Sequence, residues 1–348
     1  DCADRSDVGV PFPCTVTASV ANAGPHPDAV ADVLTRLELP PDCAASSPGA
    51  VQDDLAVSAT QFTTVVSVWT VACGQRSFHP ITAHVDATLD QLHVQDPDET
   101  NDSGSAATVV EIFEAADLAV LDMDIACDEY ADPRRFSCVT TTTVTNHGVA
   151  DGVATRTVVD VQAPEGCAVT GSPATRLDDL DAGETADYVD TFAIACHDAA
   201  RHVVHARALI RADEPHAEDR DATNDRGAVD WLPIDIKPGS FPNAVNVKQK
   251  GLIPVAVLST PTFDAPAQVV ASSLRFGATG IEESWVRCGA PEDVDGDGLA
   301  DLVCHFDATL TGFDCSSTVG VLTGRLLDGT AFESQYTIKV TPCRGDAR

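Results

Sequence analysis

Apolar and polar residues alternate along most of this chain, in short blocks closed by Gly, Pro, Asn or Asp. A period of two is that of a strand with one buried face, and the closing residues are those that turns require. The spacing predicts strands at CTVTASVAN (14–22), AVADVLTRLEL (29–39), TTVVSVWTVAC (63–73), ITAHVDATL (81–89) and ATVVEIF (107–113). An acidic loop, DPDETNDSG (96–104), precedes the last of these. Helical periodicity is scarce, so the expected class is all-β, built of antiparallel sandwiches.

The pattern is written twice. Cys14–Cys43 aligns without a gap on Cys138–Cys167 at an offset of 124: Cys14 on Cys138, Val20 on Val144, Asn22 on Asn146, Gly24 on Gly148, Pro40 on Pro164 and Cys43 on Cys167. Further on the offset becomes 123, placing Trp69 on Phe192, Val71 on Ile194 and Cys73 on Cys196. Asp98, Thr100, Asn101 and Asp102 then fall on Asp221, Thr223, Asn224 and Asp225. A fixed-offset repeat means tandem modules. The expected division is 1–115, 116–232 and a third, unrelated module at 233–348. That third module has candidate strands at LIPVAVL (252–258), VVASSLRF (269–276), LADLVCHF (299–306), VGVLTGRLL (319–327) and ESQYTIKV (333–340).

The copies differ at one place. DLAVLDMDIA (117–126) reads as a first strand before Cys127, whereas only Asp1 precedes Cys2. The first module therefore lacks its own first strand. That strand has been cleaved away, or SDVGVPF (6–12) partly replaces it, or a neighbouring subunit supplies it. An open sheet edge is a template for an incoming strand, and a head-to-tail contact of that kind builds a filament rather than a ring.

Composition narrows the function. The 348 residues carry a net charge of −33 and only four lysines. Nucleic acid is excluded as a partner, since phosphate binding needs clustered Lys and Arg. An acidic surface favours solubility and divalent cations and suits a salty medium. No apolar run reaches the length of a membrane span. A chain opening at Asp1 without a signal peptide is expected to have a processed N-terminus.

The twelve cysteines fall four to a module: Cys2, Cys14, Cys43 and Cys73; Cys127, Cys138, Cys167 and Cys196; Cys288, Cys304, Cys315 and Cys343. Even counts without a CxxC pair indicate disulfides in an oxidising compartment rather than zinc. In an up-and-down meander all four cysteines of a repeat reach the same end. The simplest pairing is Cys127–Cys138 with Cys167–Cys196, copied as Cys2–Cys14 with Cys43–Cys73. Three connectivities per module remain open.

The strongest chemical motif is Asp293-Val-Asp295-Gly-Asp297-Gly-Leu-Ala-Asp301. Carboxylates at alternate positions wrap a hard cation, Gly298 permits the sharp turn, the Leu299 carbonyl supplies the seventh position and Asp301 the ninth. Cys304 stands where a regulatory EF-hand has its bidentate Glu, so the motif reads as a structural calcium loop. DPDETND and EDRDATND are explained by Asx-turns without a metal. His202 and His205 should point to opposite faces as surface residues. No nucleophile elbow, P-loop or HExxH motif occurs, so an enzyme is not expected. Arg344-Gly345-Asp346 spells an integrin-type tripeptide that is best read as coincidence.

TNHGVADGVATRTVVDVQAPEGC (145–167) and LDDLDAGETADYVDTFAI (177–194) resemble the Ig-like repeats of bacterial and archaeal surface proteins. The D-x-T-N-D loop resembles the cell-adhesion-related (CARDB-type) variety. IDIKPGS…PVAVLST…VDGDGLADLVCHF…TG is similar to a C-terminal module of secreted microbial proteins, a resemblance that implies calcium on Asp293, Asp295, Asp297 and Asp301. The expectation is a secreted or surface protein, structural or adhesive, whose partners are copies of itself in a filament or other cell-surface proteins. The alternative is a non-catalytic glycan- or cell-surface-binding region.

Overall fold

Val65, Ser67, Trp69, Val71 and Cys73 are buried along one strand while Val66, Val68 and Thr70 face out. The same two-residue rhythm governs both repeats of this computed structural model, which describes residues 1–59, 61–130, 132–162, 166–246 and 250–343. Pro164 and the Arg344-Gly345-Asp346 tripeptide lie outside the described residues. More than half of the chain is strand and very little is helix, arranged as packed sheets of an all-β, sandwich-like fold. The chain divides into two units.

The first unit comprises Asp1–Ala116 with Gly148–Ala150 and Glu214–Arg220. Its strands are β1 (Arg5–Asp7), β2 (Phe12–Val20), β3 (Asp28–Glu38), β4 (Cys43–Ala45), β5 (Ala50–Ser58), β6 (Thr63–Cys73), β7 (Ser77–Leu89) and β8 (Ser103–Ala116). One sheet runs β1-β8-β7-β3-β5 and the facing sheet β2-β6-β4. Phe12, Trp69, Val71, Ile81, Val110 and Ile112 form the core at the cysteine end. Towards the other end the core thins to small residues, among them Ala18, Ala31, Val33 and Val57.

The second unit takes most of the remaining chain, including the second repeat and the C-terminal segment. The repeat supplies β9 (Leu118–Cys127), β10 (Arg135–Asn146), β11 (Val153–Gln162), β12 (Cys167–Thr170), β13 (Ala174–Leu180), β14 (Thr185–Cys196) and β15 (Val204–Ala212). β16 (Ala217–Asp219) pairs with β8 and belongs to the first unit, and β17 (Arg226–Trp231) returns to the second. Then follow β18 (Ile234–Ile236), β19 (Ala244–Asn246), β20 (Leu252–Val257), β21 (Arg275–Gly277), β22 (Trp285–Cys288), β23 (Leu302–Asp307), β24 (Val319–Arg325), β25 (Ala331–Thr337) and β26 (Lys339–Thr341). The second repeat and the C-terminal segment share a seven-stranded sheet, β13-β11-β15-β17-β25-β24-β21, joined where β17 runs parallel to β25. Tyr130 ties the same two parts together. Its ring stacks on Tyr336 with centroids 3.8 Å apart, and its hydroxyl donates to the Ile234 carbonyl and accepts from the Ile234 N–H.

The repeat survives at the level of register. Cys14 faces Trp69 and Cys138 faces Phe192; Thr35 faces Val85 and Val159 faces Ala208; Gly104 faces Val85 and Gly227 faces Ala208. Six disulfides are present: Cys2–Cys14, Cys43–Cys73, Cys127–Cys138, Cys167–Cys196, Cys288–Cys304 and Cys315–Cys343. Five of them join residues directly opposite each other across neighbouring backbones.

One expected strand is corrected. Of VVASSLRF only Arg275 and Phe276 are in a strand, because Val270 and Ala271–Ser273 form a tight 3-10 turn that follows a short helix, Ala265–Gln268. Asp264 caps that helix, its side chain accepting the Ala267 N–H, and Pro266 sits in the first turn where a missing N–H costs nothing. Apolar residues in so short a run do not distinguish strand from turn.

Candidate cation loop and an unpaired strand edge

The Asp-rich motif forms the connection between β22 and β23. Its base is closed twice, by Cys288–Cys304 and by reciprocal backbone hydrogen bonds between Glu292 and Asp301. Gly296 and Gly298 have φ of +84° and +91°, the left-handed region that side chains avoid, so the loop can coil tightly there. The coil brings one carboxylate oxygen each of Asp293, Asp295 and Asp297 within 4.8 Å of one another. Asp293 accepts the N–H groups of Gly296 and Gly298, Asp295 that of Asp297, and Asp297 that of Leu299.

Asp301 is placed differently. It is 1% exposed, and its two oxygens accept the N–H of Ser259 at 2.8 Å and of Val294 at 2.9 Å. It thereby staples the loop to the strand end at Ser259. The contribution of Leu299 visible here is its N–H, given to Asp297.

The electrostatics suit a cation. Partial desolvation by the surrounding atoms, and then the neighbouring Asp297 and Asp293 carboxylates, hold the solvent-facing Asp295 above the usual carboxylate range, although the Asp297 N–H and Arg201 act against this. Burial does the same to Asp301 and Asp235. A hard divalent ion would relieve the repulsion among the three exposed carboxylates, and an all-oxygen donor set matches calcium or magnesium. The residues therefore fit the group, with Asp293, Asp295 and Asp297 positioned to hold it and Asp301 positioned to hold the loop.

The histidines contain a pattern that strand reasoning missed. His202 is buried, not a surface residue: its ring Nδ1 lies 2.7 Å from Glu129 Oε1, and Glu129 is fully buried. His79 occupies the aligned position in the first repeat and meets Asp42 at 2.9 Å through Nε2. Each lies beside a disulfide, Cys43–Cys73 or Cys167–Cys196. Disulfide sulfurs are not thiolate ligands, so these clusters are structural. The offset of 123 that pairs Cys73 with Cys196 also pairs His79 with His202, and would have revealed them. His205 hydrogen-bonds Asp230 at 2.7 Å, a contact that raises its affinity for a proton despite burial.

The other feature is an edge. In the second repeat β10 lies between β14 and β9. In the first repeat the matching strand, β2, pairs with β6, and among the described residues its opposite edge meets only the short bridge at Cys2. SDVGVPF does not lie along that edge, because Arg5–Asp7 runs parallel on β8 instead. Thr15 bonds Asp1 through both its N–H and its C=O. In an antiparallel ladder alternate residues point to the same side, so Thr17 and Ser19 turn theirs to the open edge. A cleft of about 760 Å³ lies beside them in the first unit, lined by Val16, Ala18, Val20, Val85, Ala87 and Gly104 among others.

No family model matches the chain, and no curated protein matches it. Solved structures with some likeness include a putative beta-galactosidase from Bacteroides fragilis, at 10% identity, with 68% of this chain and 36% of that one covered and a TM-score of 0.28. This chain thus spans little more than a third of that protein. A structure of a 1.5-MDa bacterial ice-binding adhesin, solved for its host cell surface retention, shows 12% identity over 97% and 94% of the two chains, with a TM-score of 0.19. The calcium binding domain CBD12 of CALX1.1 shows 12% identity over 60% and 76%, with a TM-score of 0.22. Superpositions this loose carry no argument, and the functional reading rests on this chain's own residues.

Proposed function

We propose that this chain is a non-catalytic, extracellular structural or adhesive protein whose copies assemble head to tail into a filament. The observation that supports it is the unpaired edge of β2, set against the complete sheet of the internal copy. An open strand edge is a template for another chain. Six disulfides with no free cysteine among the described residues suit an oxidising, extracellular site. Three modules, 1–115, 116–232 and 233–348, remain the reading of the domain plan, with a calcium ion on Asp293, Asp295 and Asp297 stiffening the third. Electron microscopy of the purified protein tests the assembly. Ordered fibres are expected; dispersed monomers at every concentration and calcium level tried would remove the filament.

A further inference from the structure

In the second unit, His205 and Arg207 of β15 stand opposite Asp230 and Ala228 of β17. Asp230 is 5% exposed, and an ionised carboxylate can only accept, so the His205 Nδ1–H donates to it at 2.7 Å. That bond fixes the ring and leaves Nε2 without a partner among the described residues. The sandwich does not require this pair. At the same register of the first repeat Thr82 lies opposite Ala107, and His84 opposite Ser105. The polar groups therefore belong to the copy that shares a sheet with the C-terminal segment.

They line one side of a cleft of about 240 Å³. The C-terminal segment supplies the rest, with Asp328 in the turn between β24 and β25 and Gln268 at the end of the short helix. The turn is held in place: Asp328 accepts the Thr330 N–H, the Leu326 N–H bonds the Thr330 carbonyl, and the Leu327 N–H bonds the Gln268 carbonyl. Phe263 and Leu326, both buried, add apolar surface.

Size and chemistry define the occupant. The volume is below the roughly 300–1,000 Å³ of clefts that take drug-sized ligands, which suits one small ring. The side chains of Arg207 and Gln268 make no hydrogen bond or ion pair among the described residues, so their donors are unused. Asp328 offers acceptors, close enough to His205 for each to favour the charge of the other. Charges of both signs so near together discriminate against a bare anion and a bare cation alike. They favour a neutral ligand whose hydroxyls both donate and accept, and the buried apolar side chains match its C–H face.

We propose that this cleft binds one pyranose ring, either as a free sugar or as the terminal residue of a glycan. Arg207 and Gln268 donate to its hydroxyls, Asp328 accepts from them, and Asp230 positions the His205 ring beside it. The site goes beyond the assembly reading and does not depend on it.

The probes are glucose, galactose, mannose and N-acetylglucosamine, each free and as the methyl glycoside, with glycine betaine as a zwitterionic control. They are added to the full chain; saturation-transfer NMR reads contact and calorimetric titration reads affinity. At least one of these sugars should bind, and Arg207→Ala and Asp328→Asn should each weaken it by about tenfold or more. Arg207 has no partner to lose, and asparagine at 328 can still accept the Thr330 N–H, so both variants should melt as the parent does. Retention on an immobilised oligosaccharide ending in the bound sugar identifies a glycan terminus. Binding confined to the free reducing sugars identifies a free sugar, and either result supports the cleft. It is overturned if no sugar binds at millimolar concentration, if both variants bind as well as the parent, or if glycine betaine binds more tightly than any sugar. Fibres formed by a protein that binds no sugar would remove the cleft and leave assembly standing.

Discussion

Replacing Gly227 and Gly104 separately by alanine tests the packing difference between the two copies. Both residues sit in a strand and face the same partner position, so both substitutions gain the same backbone term, about 0.5–1 kcal/mol, as alanine loses less freedom on folding. That term cancels in the comparison, leaving the steric one. At Gly227 the new methyl lies 2.6 Å from Val120 and forces β9 outward; at Gly104 it meets open space. Overpacking of this kind costs roughly 1–3 kcal/mol. Gly227→Ala should therefore be less stable than Gly104→Ala by that amount, with Gly104→Ala at or slightly above the parent. Native-state hydrogen exchange resolved by strand reads each unit separately, which a single melting curve cannot do in a chain of two units. Net of the backbone gain, the amides of β9, β10 and β17 should exchange up to roughly 70-fold faster in Gly227→Ala than in the parent, and those of β2 and β8 should be unchanged or slowed up to about fivefold in Gly104→Ala. Equal behaviour of the two variants would refute the packing account and, with it, the claim that β9 needs a glycine beneath it.

Removing calcium with a chelator should lower the melting temperature of the second unit, and Asp295→Asn should abolish the difference; an unchanged melt with and without calcium counts against the loop. Replacing both Cys167 and Cys196 by serine opens a bridge with a sequence separation of 29, and the loss should be about 3–4 kcal/mol in denaturant titration, more than for the separation of 11 closed by Cys127–Cys138; a larger loss from the shorter loop would contradict the chain-entropy account. Glu333 is pushed up to about 7 by burial and by the Asp124 carboxylate beside it. The folded state thus holds that proton more tightly than the unfolded chain, so the contribution is complete below pH ~4.5 and is lost as pH rises through about 7. Melting measured from pH 4 to 8 should show the decline in the parent and a shallower one in Glu333→Gln, and identical profiles would show that the pair does not titrate in this window.

Much of the fold was legible because strands advertise themselves. TTVVSVWTVAC alternates along its whole length, and the repeat offset carried that pattern into TADYVDTFAIAC at the same register. The VVASSLRF segment was misread because its apolar residues serve a turn and a helix end, and no period distinguishes the two over so few residues. The buried pair of His202 and Glu129 was invisible for a different reason. Those residues are far apart in the chain and meet only when the Cys127–Cys138 hairpin folds against the end of β14.

What the amino-acid order determines by itself is therefore local and periodic: which faces are apolar, where turns fall, and that one thirty-residue pattern occurs twice. It also places Asp293, Asp295 and Asp297 close together, since a short glycine-bearing loop has few other conformations. Tertiary structure alone decided that Asp301 staples the loop at Ser259, that β17 and β25 join the second repeat to the C-terminal segment in one sheet, and that the edge of β2 opens onto a cleft beside Gly104. Each of these depends on surfaces brought together from distant parts of the chain, and no pattern within a strand specifies which edge will find a neighbour.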